Sequence, residues 1–237
     1  DFWNVRVEDV LVGQESSSYR VNGEIPVIPL ESFSDEVASA MEDVSQKMEE
    51  QDLYLNSSPG YWLRTFDRWA DCEEFIGFPL NNPLEKSSLL ETANYFAIAQ
   101  DAETLNEESQ RHCAVALQGN IKGELQHVTI DTGYLMGPIR IQMTVSLYPE
   151  GSGMEPGTGG SWNGEAEFEI TSGVTGEGIP YTLVVSETPE SDYYNDFSSA
   201  DAYFVLKNGL YTLDAVSPGR DSGADAKAAL EELLALF

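Results

Sequence analysis

The chain has 237 residues, with 41 Asp and Glu against 12 Lys and Arg and a formal charge of −29 at pH 7. A surface so acidic repels a phosphate backbone, which argues against nucleic acid as a partner. At 41% hydrophobic and 11% aromatic the composition supports a folded core rather than disorder, and no apolar run reaches the roughly 18 residues of a spanning helix, so membrane insertion by this chain is not expected.

The length suits one large domain, or a domain with a modest appendage. The chain begins at Asp1 rather than Met, which predicts removal of an upstream segment and an extracytoplasmic, tethered domain. Val5–Val7 and Tyr19–Leu30 read as strand-like pieces on either side of the polar stretch 14–18. Val37, Met41, Val44 and Met48 then recur at spacings of four, three and four, one face of a helix with Ser34 as its N-cap. This helix fades near Gln51, and a turn cluster with an Asn-x-Ser sequon at Asn56 follows. Residues 1–65 are therefore an N-terminal lead-in with one amphipathic helix, and residues 66–237 an α+β core domain.

Trp69–Ile76 predicts a short helix with Asp67 as cap, Gly77 as its left-handed C-cap and Pro79 preventing continuation. Residues 84–100 read as a loop followed by a strand around Tyr95–Ile98. From Arg111 the period becomes two. Gly119-Asn120 predicts a two-residue turn joining residues 111–118 to 121–130. Ile139, Ile141, Met143, Val145 and Leu147 alternate with polar residues, the clearest strand in the chain. The glycine-rich stretch 150–164 lacks periodicity and reads as a surface loop. Asn208-Gly209 predicts a hairpin that pairs Phe204 with Leu213 and Leu206 with Tyr211. Leu230, Leu233, Leu234 and Phe237 stripe a closing helix, with Ser222 and Asp225 as a capping-box-like start. The fold class is α+β: an antiparallel β-sheet with hairpins packed against a few helices.

Motifs that carry chemistry are scarce. Asp131-Thr132-Gly133 after an apolar run has the local form of an aspartic-protease loop, but its second copy, Asp221-Ser222-Gly223, follows a Pro-Gly turn and lacks the required strand. Asp131 is thus read as a strand ending in a glycine turn. Gly160-Ser161-Trp162-Asn163-Gly164 has its serine adjacent to the first glycine, the wrong spacing for a nucleophile elbow. No phosphate-binding GxxxxGK[ST] is present. A turn at Gly119-Asn120 places His112 opposite His127, with Cβ atoms about 4.5–5.5 Å apart. Asp131, about 13 Å further along the strand, does not complete a metal shell, so the pair is expected without a metal. Cys72 and Cys113 belong to separate elements with no reason in the sequence to meet, and are expected to be free. No catalytic, cofactor-binding or metal-ligating residue is assigned, and no cofactor is implied.

The most distinctive segment is Trp69-Ala70-Asp71-Cys72-Glu73-Glu74-Phe75-Ile76-Gly77-Phe78-Pro79-Leu80-Asn81-Asn82-Pro83-Leu84. It resembles a stretch in extracytoplasmic domains of single-pass Gram-positive membrane proteins, some of them anti-sigma-factor-like, and the resemblance extends over Phe66–Phe237. It implies a module that senses or binds an extracellular ligand or protein and assigns no functional residues. The alternative is a secreted or cell-surface hydrolase acting on polysaccharide, suggested by Tyr193, Tyr194 and Trp162 near acids.

Overall fold

The computed structural model describes residues 5–50, 60–95, 110–120, 122–187, 197–219 and 222–237. In chain order the elements are β1 (Val5–Leu11), β2 (Ser16–Gly23), β3 (Val27–Ile28), α1 (Asp35–Glu50), β4 (Gly60–Phe66), α2 (Trp69–Ile76), β5 (Glu91–Ala93), β6 (Cys113–Gly119), β7 (Leu125–Met136), β8 (Ile139–Pro149), β9 (Thr158–Asn163), β10 (Glu167–Val174), β11 (Pro180–Glu187), β12 (Phe197–Leu206), β13 (Gly209–Pro218) and α3 (Gly223–Leu234). A large sheet runs β10-β11-β12-β13-β8-β7-β6-β4, with β5 paired to β7 and β3 to the end of β8; a small sheet runs β1-β2-β9. All these pairings are antiparallel except β3 with β8. The fold is α+β, and no helix among the described residues is long and apolar enough to cross a membrane.

Strand alternation sorts the large sheet into two unlike faces. On one, Ile130, Ile141, Met143, Val145, Leu147, Phe204 and Leu213 are fully buried. The helices cover this face, α1 and α2 against β4 and β6, and α3 against β11, β12 and β13. At 12 residues α3 is too short to persist alone. Leu230, Leu233, Leu234 and Phe237 hold it in place by full burial, each contributing about 1.5–3 kcal/mol. Phe237 meets the Phe204 ring edge-on at 5.0 Å.

Ser34 caps α1 as expected, its Oγ accepting from Val37 N at 3.2 Å. The same hydroxyl donates to the Phe75 carbonyl, and Ser34 N donates to Ile76 O at 3.0 Å, so one residue joins the start of α1 to the end of α2. Gly77 ends α2 at φ 102°. A Cβ there would lie 2.8 Å from Ser34 N, so the junction needs glycine on steric grounds as well.

The opposite face carries polar side chains, and the small sheet covers part of it. Val5, Tyr19 and Val21 pack on Tyr148, Val184, Tyr203 and Leu210. Thr182 Oγ1 donates to Val5 O at 2.8 Å, and Ser17 Oγ donates to Gly164 O at 2.8 Å. The described part of the stretch read as a lead-in, residues 1–65, thus supplies two strands of the small sheet, β3, α1 and nearly all of the edge strand β4.

Several local expectations are corrected. The β6–β7 connection is longer than two residues: Asn120 Oδ1 accepts from Lys122 N at 2.8 Å and Glu124 N at 3.0 Å, and Gly123 adopts φ 76°. A side-chain amide closes this loop where a tight turn was expected. Gln118 consequently pairs with His127 and Cys113 with Thr132. His112 lies six positions before Gln118, about 20 Å from His127 along the strands, so the histidine pair does not form. The β12–β13 turn falls on Lys207-Asn208, one residue earlier than expected, with Lys207 at φ 46°. Phe204 therefore faces Tyr211, and Leu206 faces Gly209. Arg68, not Asp67, is the N-cap of α2. Ser222 is the N-cap of α3 but makes no capping bond; its hydroxyl donates to Gly219 O at 2.5 Å and to Ser217 O at 3.2 Å. A short strand is found at Glu91–Ala93, and residues 96–98 of the strand expected at Tyr95–Ile98 lie outside the described residues. The glycine-rich stretch is a loop over residues 150–157, as expected, but its second half supplies β9.

Candidate functional site

Asp is a poor strand former, yet Asp131, Asp201 and Asp214 all sit inside strands, on the polar face of the large sheet. Asp201 on β12 is the direct cross-strand partner of Asp214 on β13, and the two carboxyl groups are hydrogen-bonded to each other. Such a bond needs a proton between them. Burial raises the pKa of both groups, and the neighbouring Asp201 charge raises Asp214 further. Both shifts favour the protonated form, so the pair has a proton to share.

Tyr19 of the small sheet reaches across to this pair, its hydroxyl donating to Asp201 Oδ2 at 3.2 Å and lying 2.7 Å from the Tyr203 hydroxyl. Burial pushes both phenols up, so they remain protonated donors. On the other side, Thr144 Oγ1 donates to Asp131 Oδ1 at 2.5 Å and Gln142 Nε2 at 3.2 Å. Asp131 thus lies in mid-strand rather than at a glycine turn, and burial raises its carboxyl as well.

Between the two sheets is a cleft of about 380 Å³, lined by Tyr19, Tyr203, Asp201, Asp214, Gln142 and Thr144 together with hydroxyl side chains and the Gly159-Gly160 backbone of β9. No Lys, Arg or His is among the described lining residues. The cleft offers oxygen acceptors and two buried carboxyl groups. Its far wall depends on glycine, since a Cβ at Gly159 would lie 2.3 Å from the Tyr19 carbonyl oxygen. Gly159→Ala is expected to force β9 away from β2 at a cost of about 1–3 kcal/mol, read as a lower midpoint in thermal unfolding.

A second polar cluster closes the opposite face. β5 and β6 lie end to end along β7, and His112 sits at their junction, 9% exposed. Its Nδ1 donates to Ala93 O at 2.8 Å and its Nε2 to Glu85 Oε1 at 2.7 Å. Two acceptors on two ring nitrogens define an imidazolium. Burial pushes the ring down, but the Cys113 sulfur, Glu85 and the Ala93 carbonyl hold it up, at about 10. Tyr134 OH donates to the same Glu85 oxygen at 2.6 Å and accepts from Asn82 Nδ2 at 2.8 Å. The cluster ties β5, β6 and β7 to the segment that carries Asn82 and Glu85.

The other residues singled out in the sequence do not assemble into a site. His127 stacks on Tyr148 at 4.8 Å, and its buried Nε2 has no hydrogen-bond partner among the described residues. Cys72 and Cys113 are free and buried, but they are neighbours and hydrogen-bonded to each other, contrary to the expectation that they do not meet. Asn56, Tyr193, Tyr194 and Asp221, and the side chain of Trp162, lie outside the described residues. No group of three or more His, Cys, Asp or Glu among the described residues is arranged to hold a metal ion. No protein-family model, no curated protein and no solved structure matches the chain.

Proposed function

We propose that the chain is a binding or sensing module whose site is the cleft between the two sheets, and that its ligand is a small cation carrying N–H donors. The observation that carries this reading is the hydrogen-bonded Asp201–Asp214 pair, two carboxyl groups that line the cleft with no Lys, Arg or His among its described lining residues. Buried charge is ordinarily paired. An entering ammonium or guanidinium group would supply the missing partner and displace the shared proton, while Tyr19, Gln142 and Thr144 fix its orientation. The extracytoplasmic, membrane-anchored setting is part of the proposal and rests on the likeness of residues 69–84 to such domains.

The polysaccharide-hydrolase reading has weaker support. Carboxyl groups that flank a glycosidic bond stand about 5–9.5 Å apart, whereas Asp201 and Asp214 are in direct hydrogen-bond contact.

The test is thermal unfolding and calorimetry at constant ionic strength with putrescine, glucose and acetate as probes. Putrescine is expected to raise the melting temperature and to bind more tightly as pH rises, with stabilisation of about 2.7 kcal/mol at a concentration 100-fold above its Kd. Equal shifts from glucose or acetate, or a putrescine shift that survives Asp214→Asn, would sink the reading.

A further inference from the structure

We infer that Cys72 and Cys113 form a modification site, a buried dithiol that peroxide converts to a disulfide joining α2 to the first residue of β6. Strand register explains how two cysteines distant in sequence come together. Phe66, at the end of β4, pairs with Cys113. The chain turns through Asp67 and Arg68 into α2, whose buried face presents Trp69, Cys72, Phe75 and Ile76. Cys72 thus comes round one turn into the helix, over the start of β6, in hydrogen-bond contact with Cys113. Both side chains are fully buried.

The surroundings distinguish the two sulfurs. Cys113 receives the Cys72 S–H, adjoins the His112 imidazolium and lies 3.6 Å from Thr132 Oγ1. Cys113 directly follows the His112 imidazolium and has Thr132 Oγ1 beside its sulfur, so its thiolate is the one with partners and it is the nucleophile. Cys72 is pushed up by the same hydrogen bond and by burial, and it remains a thiol that resolves the first product.

In the first step the Cys113 thiolate attacks one oxygen of hydrogen peroxide. The O–O bond breaks, leaving a sulfenic acid on Cys113 and releasing hydroxide, which takes up a proton to become water. In the second step the Cys72 sulfur displaces the sulfenic hydroxyl, the S–S bond forms, and the thiol proton leaves with the hydroxyl as a second water. In sum, two thiols lose two hydrogens and two electrons, and one peroxide becomes two waters.

The experiment exposes the purified chain to a modest excess of hydrogen peroxide and removes the oxidant with catalase. The chain is then unfolded, treated with N-ethylmaleimide and weighed by intact-protein mass spectrometry. Free thiols are expected to fall from two per chain to none, with a mass lower by two hydrogens, reversal by dithiothreitol and a Cys72–Cys113 cross-linked peptide. In Cys72→Ser, dimedone is expected to label Cys113. Two alkylated cysteines in the treated wild type would overturn the site, as would Cys113 oxidised to sulfinic acid beside a free Cys72. Failure of dimedone to label Cys72→Ser would overturn the role given to Cys113.

Discussion

Replacing His112 with alanine is expected to lower the unfolding free energy by about 3 kcal/mol, the low end of the range for breaking a buried ion pair. The loss has three parts. Ala93 O loses its donor, Glu85 keeps only Tyr134, and the edge-on contact with the Tyr134 ring at 5.1 Å disappears. The estimate stays low because the Glu85 side chain is 27% exposed and water can partly solvate it. For a chain of this size the melting temperature should fall by about 6–12 °C. Glu85→Gln keeps the shape and removes the charge, and should cost less. The pH dependence separates a charged lock from simple packing. The imidazole is raised from its usual 6.5 to about 10, so its contribution is complete below pH 6.5 and is lost as pH rises towards 10. The Glu85 carboxyl is resisted by burial, but its bonds from His112 and Tyr134 set it below its usual 4.5, so its contribution fades as pH falls through the acid range. The difference between wild type and His112→Ala should therefore be largest between about pH 4.5 and 6.5 and shrink on either side. A difference independent of pH would mean that the ring acts through packing alone.

Asp214→Asn is expected to have the opposite sign, raising stability at neutral pH by about 2 kcal/mol and the melting temperature by about 4–8 °C, while abolishing the putrescine response. The amide supplies a permanent donor to Asp201 in place of the shared proton, and it removes the need to keep a desolvated carboxyl protonated well above its usual 3.8. An acid whose pKa is raised in the folded state stabilises the fold at low pH, and that contribution is lost as pH climbs from the unfolded value to the folded one. Wild type should accordingly lose stability relative to the variant as pH rises above about 4. Comparing the two proteins isolates the pair, because titrations elsewhere, including that of buried His127, are common to both. A variant that is less stable at every pH would show that the two carboxyl groups support the fold rather than strain it. A stabilised variant that no longer responds to putrescine would show stability given up for binding.

Elements whose residues repeat at a regular period were legible in the sequence. The β8 alternation, the α1 face with its Ser34 cap, the Gly77 stop and the α3 stripe all rest on patterns in which each residue repeats the same statement about one face. Registers were not legible, because a register depends on one turn. Placing the turn at Asn208-Gly209 sets Asp201 opposite Val216; moving it one residue earlier, to Lys207-Asn208, sets it opposite Asp214. One residue of turn placement thus concealed the carboxyl pair. In the same way, the amide-closed loop at Asn120 dissolved the expected histidine pair and aligned Cys113 with Thr132. The signal that could have found the site was the presence of Asp131, Asp201 and Asp214 within strand-forming sequence, where local preference is violated three times on one face. The glycine stretch 150–164 concealed β9 because small residues there serve the close approach of Gly159 to Tyr19 and leave no hydrophobic pattern to read.

The small sheet has a consequence for the order in which the molecule assembles. Ser17 is bonded to Gly164 across 147 residues of sequence, and Tyr19 to Asp201 across 182, whereas the hairpins β7–β8 and β12–β13 join near neighbours. Closing such long loops is entropically costly and slow, and it gains nothing until the hairpins exist as a surface to close on. A nascent chain therefore carries β1 and β2 unplaced until β9 and β12 have been synthesised and folded. The wall that brings Tyr19 to the carboxyl pair is then the last part to dock and, held by a smaller apolar cluster than the main core, the first to come away in partial unfolding.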